Sequence, residues 1–375
     1  MLILAAILAI FVYGMIAAML GTIMPTFNLS MEQNGNVALA QAMGLVLASL
    51  SVGPIIDNKG KKTALVAGLA LISAALYALP SVSGDYTRIL ICLFILGFGG
   101  GIIVTAANAL ASDVDEARRA STLNFLNLFF GLGGLATPFV AANLLGGDAI
   151  TLCYAAAVLT TITLVVHIVT KMPGPKGGAG FNTTEAGKVI ARPALWLLSL
   201  FLFLYVACEV GVWNWLATYL VTKGVDKARA LNILSLGFAL GLLIGRVVVS
   251  RILIKVAAST VTLGAAALMA VTTYAMLQTG DPTIAWIAVF CAGLAMAPVF
   301  PTTLAMVGDA FPVMTATAMG IVITFGWIGL AVSSPIIGSI AGAGSANLGT
   351  ALLLLPAFSV VMVLVNLALR PMLRK

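Results

Sequence analysis

Charge is what this sequence has least of. Only 8% of its 375 residues are charged, 61% are hydrophobic, and mean hydropathy is +1.14. A soluble domain of this length is excluded, because a water-facing surface needs far more charge. Acids are scarcer than bases, 12 against 19, and there is a single histidine, His167. It lies near the end of an apolar run beside Lys171, with no ligand partner close in sequence. The four cysteines, Cys92, Cys153, Cys208 and Cys291, each stand alone inside apolar runs. They lack metal-ligand spacing and imply no disulfide framework. No nucleophile–base pair, His/carboxylate cluster or phosphate-cradling glycine loop is evident. The expectation is therefore no enzyme, no cofactor and no metal.

Long apolar runs are what the chain has in abundance. Inside a bilayer each backbone polar group must bond within the protein, which leaves helices or a closed barrel. Runs of around 20 apolar residues without period-two alternation select helices. The fold class expected is an all-α polytopic membrane protein, with twelve transmembrane helices in two pseudo-symmetric six-helix bundles. The spans fall at about 2–26, 36–56, 63–80, 89–112, 120–146, 149–170, 193–222, 229–253, 257–278, 283–308, 313–341 and 347–369. The first runs to about Met24, beyond signal-peptide length, so no cleavable signal is expected. Its start at the first residue leaves an N-terminal tail ahead of it as an expectation.

Residues 172–192 are rich in Pro and Gly and lack an apolar period. They read as a flexible cytoplasmic linker between an N-terminal bundle, 1–171, and a C-terminal bundle, 193–375. With both termini cytoplasmic, 15 of the 19 Lys and Arg lie inside; Arg88, Lys223, Lys227 and Arg229 lie outside. That bias follows the positive-inside rule. Arg246 is counted inside although it falls within the eighth span. The formal charge of +7 thus reports topology and points to no nucleic acid. The expected setting is the lipid bilayer of a bacterial inner (plasma) membrane, with the protein a monomer.

The halves echo one another. Gly97 to Asp113 and Gly293 to Asp309 share one spacing, and Gly133 and Gly329 keep the same offset of 196 residues. Internal repeats of this kind occur in transporters.

Glu209 is the one carboxylate near the middle of a long apolar run. An acid at bilayer depth is costly and is usually kept for handling ions, protons or substrate. Helical spacing puts Tyr205, Glu209 and Trp213 on one face. A phenol and an indole beside an acid suit a polar organic ligand better than a lipid tail. The alternative is a protonated Glu209 that only hydrogen-bonds a neighbouring helix.

Further polar residues share faces within spans. Thr105 and Asn108 lie on one; Asn124, Asn127 and Gly131 lie on another. Amides both donate and accept, as ring hydroxyls require, and an aromatic face such as Trp213 can pack on a sugar's C–H surface. Each Asn can equally tie helices together. Trp327 offers a second aromatic wall, Trp196 and Trp286 sit near span ends as interfacial anchors, and Pro301 and Gly131 suit kinking or packing.

After the second span comes Gly53-Pro-Ile-Ile-Asp57-Asn-Lys-Gly60-Lys61-Lys62. The order is Gly, three residues, Asp, two residues, Gly, then two bases. This resembles the helix 2–3 loop signature of the major facilitator superfamily, with Asn58 where a base is common. Physically, Gly53 permits close helix approach and Gly60 a tight turn, while Asp57 can accept from bases or an opposing helix N-terminus. The resemblance implies a contact that closes one side of a transporter and breaks in the other state.

Within that superfamily the chain resembles the fucose–galactose–glucose symporter family. The similar stretches are Thr105-Ala-Ala-Asn108, Leu123-Asn124 with Asn127 and Gly133, and Tyr205-Val206 with Glu209 and Trp213. Ile244-Gly245-Arg246 with Lys255, and Phe300-Pro301-Thr302, complete the series. The resemblance implies a small-molecule substrate, a hexose or 6-deoxyhexose, moved by alternating access with H+ or Na+. It implies substrate contacts at Asn108, Asn124, Asn127, Tyr205, Glu209 and Trp213; Trp327 is expected beside them as an aromatic wall, and the depth of Glu209 in its span makes it the expected ion-coupling residue. It implies a conformational switch at Gly53, Asp57, Gly60, Lys61, Lys62 and Arg246. Gly21 and Val104 stand where fucose-type members carry functional acids in helices 1 and 4, so that proton pathway does not transfer. A proton-coupled exporter of amphipathic or drug-like compounds is the alternative within this architecture; a non-translocating receptor is a third reading.

Overall fold

A computed structural model describes residues 2–23, 27, 31–82, 84–145, 148–174, 183–225, 227–279, 281–341 and 347–373. Among them ten helices are long and apolar enough to cross a membrane. In chain order the first helices are α1 (Leu2–Ile23), α2 (Met31–Lys59), α3 (Lys61–Ala78), α4 (Tyr86–Val114), α5 (Arg119–Asn143) and α6 (Ala149–Val169). A short α7 (Thr183–Ile190) follows, then α8 (Pro193–Thr222), α9 (Lys227–Asn232), a π-helical turn (Ile233–Ala239) and α10 (Leu240–Ile252). The chain continues as α11 (Ala258–Met276), α12 (Pro282–Met296), α13 (Val299–Ala310), α14 (Thr315–Ala341), α15 (Leu348–Leu352) and α16 (Leu354–Leu373). Of the spans expected from sequence, those outside the ten are α5 and the stretch from α9 through α10.

The chain divides into two compact units. One comprises Met1–Arg119, Leu126–Ala191 and Phe311–Thr324; the other comprises Ala120–Phe125, Arg192–Ala310 and Phe325–Lys375.

Three expectations need adjustment. The eighth span is not one α-helix, since the π-helical turn interrupts it. Nor is the tenth continuous: α12 stops at Met296 and α13 begins at Val299. Pro298 sits in that break, where its missing N–H and its ring disrupt the preceding turn. The linker is not wholly irregular either, because Thr183–Ile190 forms α7, with Lys188 paired to Glu185 at 2.7 Å. Residues 175–182 of that linker lie outside the described residues.

The sequence echo has a packing cause. A Cβ placed on Gly97 of α4 would collide with the backbone of Gln41 on α2, and one on Gly133 of α5 with that of Phe11 on α1. In the second unit, a Cβ on Gly293 of α12 would strike the backbone of Phe238, and one on Gly329 of α14 that of Phe203 on α8. At each position two helices touch backbone to backbone, which only glycine permits. The same 196-residue offset relates two helix caps. Asp85 accepts from the Arg88 amide at the start of α4, and Asp281 from the Thr283 and Ile284 amides at the start of α12. The Ile284 and Thr283 amides hold the Asp281 carboxyl below the usual carboxylate range.

Candidate functional site

Tyr205, Glu209 and Trp213 stand four residues apart on α8, so they form one stripe. Tyr205 is fully buried, Glu209 half-buried and Trp213 39% exposed, a gradient from packed interior to accessible space. The phenol of Tyr205 and the indole of Trp213 both face the Glu209 carboxyl. The Tyr205 hydroxyl, though, falls short of a well-formed hydrogen bond to any group among the described residues. The Trp213 ring is held edge-on by Phe238 at 5.2 Å and 80°. Phe238 comes from the π-helical turn, a distortion often found at functional sites.

The charge opposing Glu209 comes from α10. Arg246 is only 6% exposed, and its guanidinium acts electrostatically on both Glu209 and Tyr205. Sequence had grouped Arg246 with the switch and counted it among the inner bases. It was also the nearest candidate partner for Glu209, and it lies buried on α10 within electrostatic reach of that acid, so the second unit contains an acid and a base within its helices.

Asn108 and Asn127 are both buried, at 0% and 4% exposure. Asn127 Nδ2 donates to Asn108 Oδ1 at 2.9 Å, and Asn108 Nδ2 donates to the Val104 carbonyl at 2.7 Å. These amides therefore join α4 to α5. Thr105 turns its hydroxyl onto its own helix, donating to the Gly101 carbonyl at 2.9 Å. Asn124, one turn before Asn127 on α5, has other partners: its Nδ2 donates to the Ala120 carbonyl and to Thr302 Oγ1, both at 2.9 Å. Its buried Oδ1 has no hydrogen-bond partner among the described residues. Trp327 on α14 packs against Phe300 of α13, their rings tilted 40° at 6.5 Å. Trp196, expected as an interfacial anchor, is 44% exposed and meets Phe325 edge-on at 5.7 Å.

The switch segment is tighter than a loop. Gly60 alone separates α2 from α3, and its φ of 86° is the left-handed conformation that glycine adopts without strain. A Cβ on Gly53 would meet the Thr317 Cα and the Ala316 carbonyl oxygen. That close approach sets Asp57 against the first turn of α14. Asp57 Oδ2 accepts from the Thr317 amide at 2.8 Å and its hydroxyl at 2.6 Å, while Oδ1 accepts from the Ala316 amide at 3.3 Å. An anion at a helix N-terminus is favoured by the unsatisfied amides and by the helix dipole. Lys61 is buried, and its Nζ lies 2.6 Å from Asp113 Oδ2. Arg119 Nε donates to the Ser112 carbonyl at 3.0 Å alongside. Lys62 points elsewhere, donating to the Ile168 carbonyl at 2.6 Å.

Sequence reasoning missed Thr317, Asp113 and Phe238 as partners. A Thr-rich start after Pro312 was a legible helix-start signal for the first. Asp113 had been seen only as a mark of the repeat. Phe238 carried no signal, because a π-helical turn cannot be read from apolar periodicity. His167 proves buried, with Nδ1 2.7 Å from the Thr163 carbonyl oxygen. Among the described residues no group of three or more His, Cys, Asp or Glu could hold a metal.

Comparison with known proteins gives a family match, described as the Major Facilitator Superfamily, over residues 2–334. The chain is 24% identical over 348 residues to a TsgA homologue of Serratia proteamaculans, covering 90% of this chain and 86% of that one. It is 22% identical over 275 residues to bypass of stop codon protein 6 of Saccharomyces cerevisiae, covering 65% of this chain. The match spans about half of that yeast relative, 55% of its length. Among solved structures, the fucose:proton symporter FucP of E. coli superposes with a TM-score of 0.83 at 18% identity, covering 98% of both chains. At that identity the likeness is one of fold.

Proposed function

The chain belongs to the Major Facilitator Superfamily, so it is a multi-pass membrane transporter rather than an enzyme, and from that premise we propose that it carries a monosaccharide, hexose or 6-deoxyhexose, by alternating access coupled to protons or sodium. The observation that carries this reading is the half-buried Glu209 flanked by Tyr205, Trp213 and Arg246. The exposed Trp213 face packs on a sugar's C–H surface, and the carboxylate accepts from a ring hydroxyl. A proton or sodium ion at Glu209 offsets its charge and weakens its attraction to Arg246. That changes how α8 and α10 hold together, which is how ion binding favours one conformation over another. The fold shared with a fucose:proton symporter supports the sugar reading; the coupling rests on Glu209, since that symporter's acids in helices 1 and 4 have no counterpart here.

Asp57 is the clasp. Bound to the α14 N-terminus it holds one conformation, and release permits the other. The Lys61–Asp113 pair steadies the α2–α3 joint that presents it. The reading includes twelve spans, a cytoplasmic 172–192 linker and both termini in the cytoplasm of a bacterial cell.

Proteoliposomes loaded with labelled hexose test the coupling. Glu209→Gln keeps shape and hydrogen bonding but cannot cycle a charge, so counterflow exchange persists while accumulation under a proton or sodium gradient is lost. Accumulation equal to the parent's would make Glu209 a structural hydrogen-bonder. Asp57→Ala is expected to leave sugar binding intact and slow transport, measured as uptake rate at equal protein. Vesicles that extrude amphipathic cations and take up no hexose would favour the exporter reading instead.

A further inference from the structure

At the basic end of the first unit, α3 and the end of α6 bound a groove of ≈ 710 Å³. Its two ends differ chemically. Lys59, Lys62 and Thr63 line one end, while Val66, Ala67 and Ala70 of α3 face Ile168 and Met172 along the rest. From Thr63 to Ala70 the helix rises roughly 10 Å, so the apolar floor runs well away from the charged mouth. None of the lining residues is acidic. Lys171, exposed, follows α6 immediately before the lining Met172.

The mouth is built rather than incidental. Lys62 Nζ reaches across to the Ile168 carbonyl at 2.6 Å, so the ammonium bridges both walls and keeps two N–H donors for something else. Gly60 begins α3 without any side-chain cap, which leaves the positive end of that helix dipole facing the same space. Beyond the groove, α6 presents Val165 and Val169 at 53% and 71% exposure, a surface suited to acyl chains.

We propose that this groove binds an anionic phospholipid from the leaflet at that end of the protein, its phosphate between Lys59 and Lys62 and one acyl chain along Val66, Ala67 and Ala70. Charge complementarity selects an anionic headgroup over a zwitterionic one. The apolar floor selects a lipid over a free anion. Basic pockets between transmembrane helices recognise such headgroups in this way. The site is separate from Glu209 and does not depend on which solute is carried.

Native mass spectrometry of the delipidated protein in mild detergent tests it, with phosphatidylglycerol, phosphatidylcholine and inorganic phosphate titrated in separate arms. The parent is expected to bind phosphatidylglycerol roughly tenfold better than phosphatidylcholine, since each lysine near an anionic headgroup contributes several-fold. The double variant Lys59→Gln/Lys62→Gln should bring the two lipids to near parity. Ala67→Phe, which fills the floor and keeps both lysines, should reduce retention of phosphatidylglycerol at unchanged helical content. Equal binding of the two lipids by the parent overturns the proposal. So does a preference that survives the double lysine variant, or inorganic phosphate that competes as well as the lipid does.

Discussion

The two compact units share a scaffold and differ in their chemistry. Gly97 and Gly133 in one, Gly293 and Gly329 in the other, bring helices together backbone to backbone. Asp85 and Asp281 cap corresponding helices. Yet the polar groups at mid-helix are unlike. The first unit joins α4 and α5 with two neutral amides, Asn108 and Asn127, and keeps its Lys61–Asp113 pair at helix ends. The second sets a carboxylate and a guanidinium, Glu209 and Arg246, against each other within α8 and α10. The positions the two units share are those where helix packing demands glycine, while their mid-helix polar groups differ. A neutral amide pair behaves alike at any pH and ion concentration, whereas an acid facing a fixed cation responds to both.

The contrast is broken most sharply at Arg246. Arg246→Ala leaves Glu209 without its opposing charge; the expected cost is up to about 3 kcal/mol, the low end for a disrupted buried pair because Glu209 is only partly buried. Accumulation of substrate should also be lost. Thermal unfolding in detergent checks the stability, and combining Arg246→Ala with Glu209→Gln should recover much of it. If the double variant is no more stable than the single one, the two groups do not form a functional pair.

Substitution of the shared glycines sharpens the other side of the comparison. Gly97→Val and Gly293→Val each force a side chain against a neighbouring backbone, and each should cost about 1–3 kcal/mol. Similar losses in melting temperature are expected from the two, because the contacts correspond. A large loss in one unit and none in the other would mean that the repeat is not mechanically equivalent.

The smallest effect belongs to the amide pair. Asn127→Ala removes the donor to Asn108 Oδ1, and an interhelical hydrogen bond in a membrane is worth about 0.6–2 kcal/mol. A modest loss of melting temperature is expected, with hexose affinity falling less than after Trp213→Ala, as read by binding calorimetry. A larger fall in affinity for Asn127→Ala would place the first unit's amides in the substrate site.

Local features were legible in the sequence because they depend on neighbours along the chain. Apolar run length identified the helices, and four-residue spacing put Tyr205, Glu209 and Trp213 on one stripe. The glycine offsets were legible as an internal repeat, though not as the backbone contacts they make. The joint at Gly60 was likewise readable, since a glycine between two helical runs is the residue a left-handed turn requires.

What only tertiary structure decided is which helix faces meet. Asp57 finds Thr317, 260 residues away, and Asn127 turns to Asn108 while Asn124 one turn earlier turns to Thr302. Arg246 reads in sequence as a positive-inside base and as the nearest candidate partner for Glu209, but too far toward the cytoplasm; the fold buries it on α10, within electrostatic reach of the acid. A face set by 100° steps along one helix fixes what its residues can reach; the rotation and approach of the neighbouring helix, set by packing of many small contacts, fix what they touch.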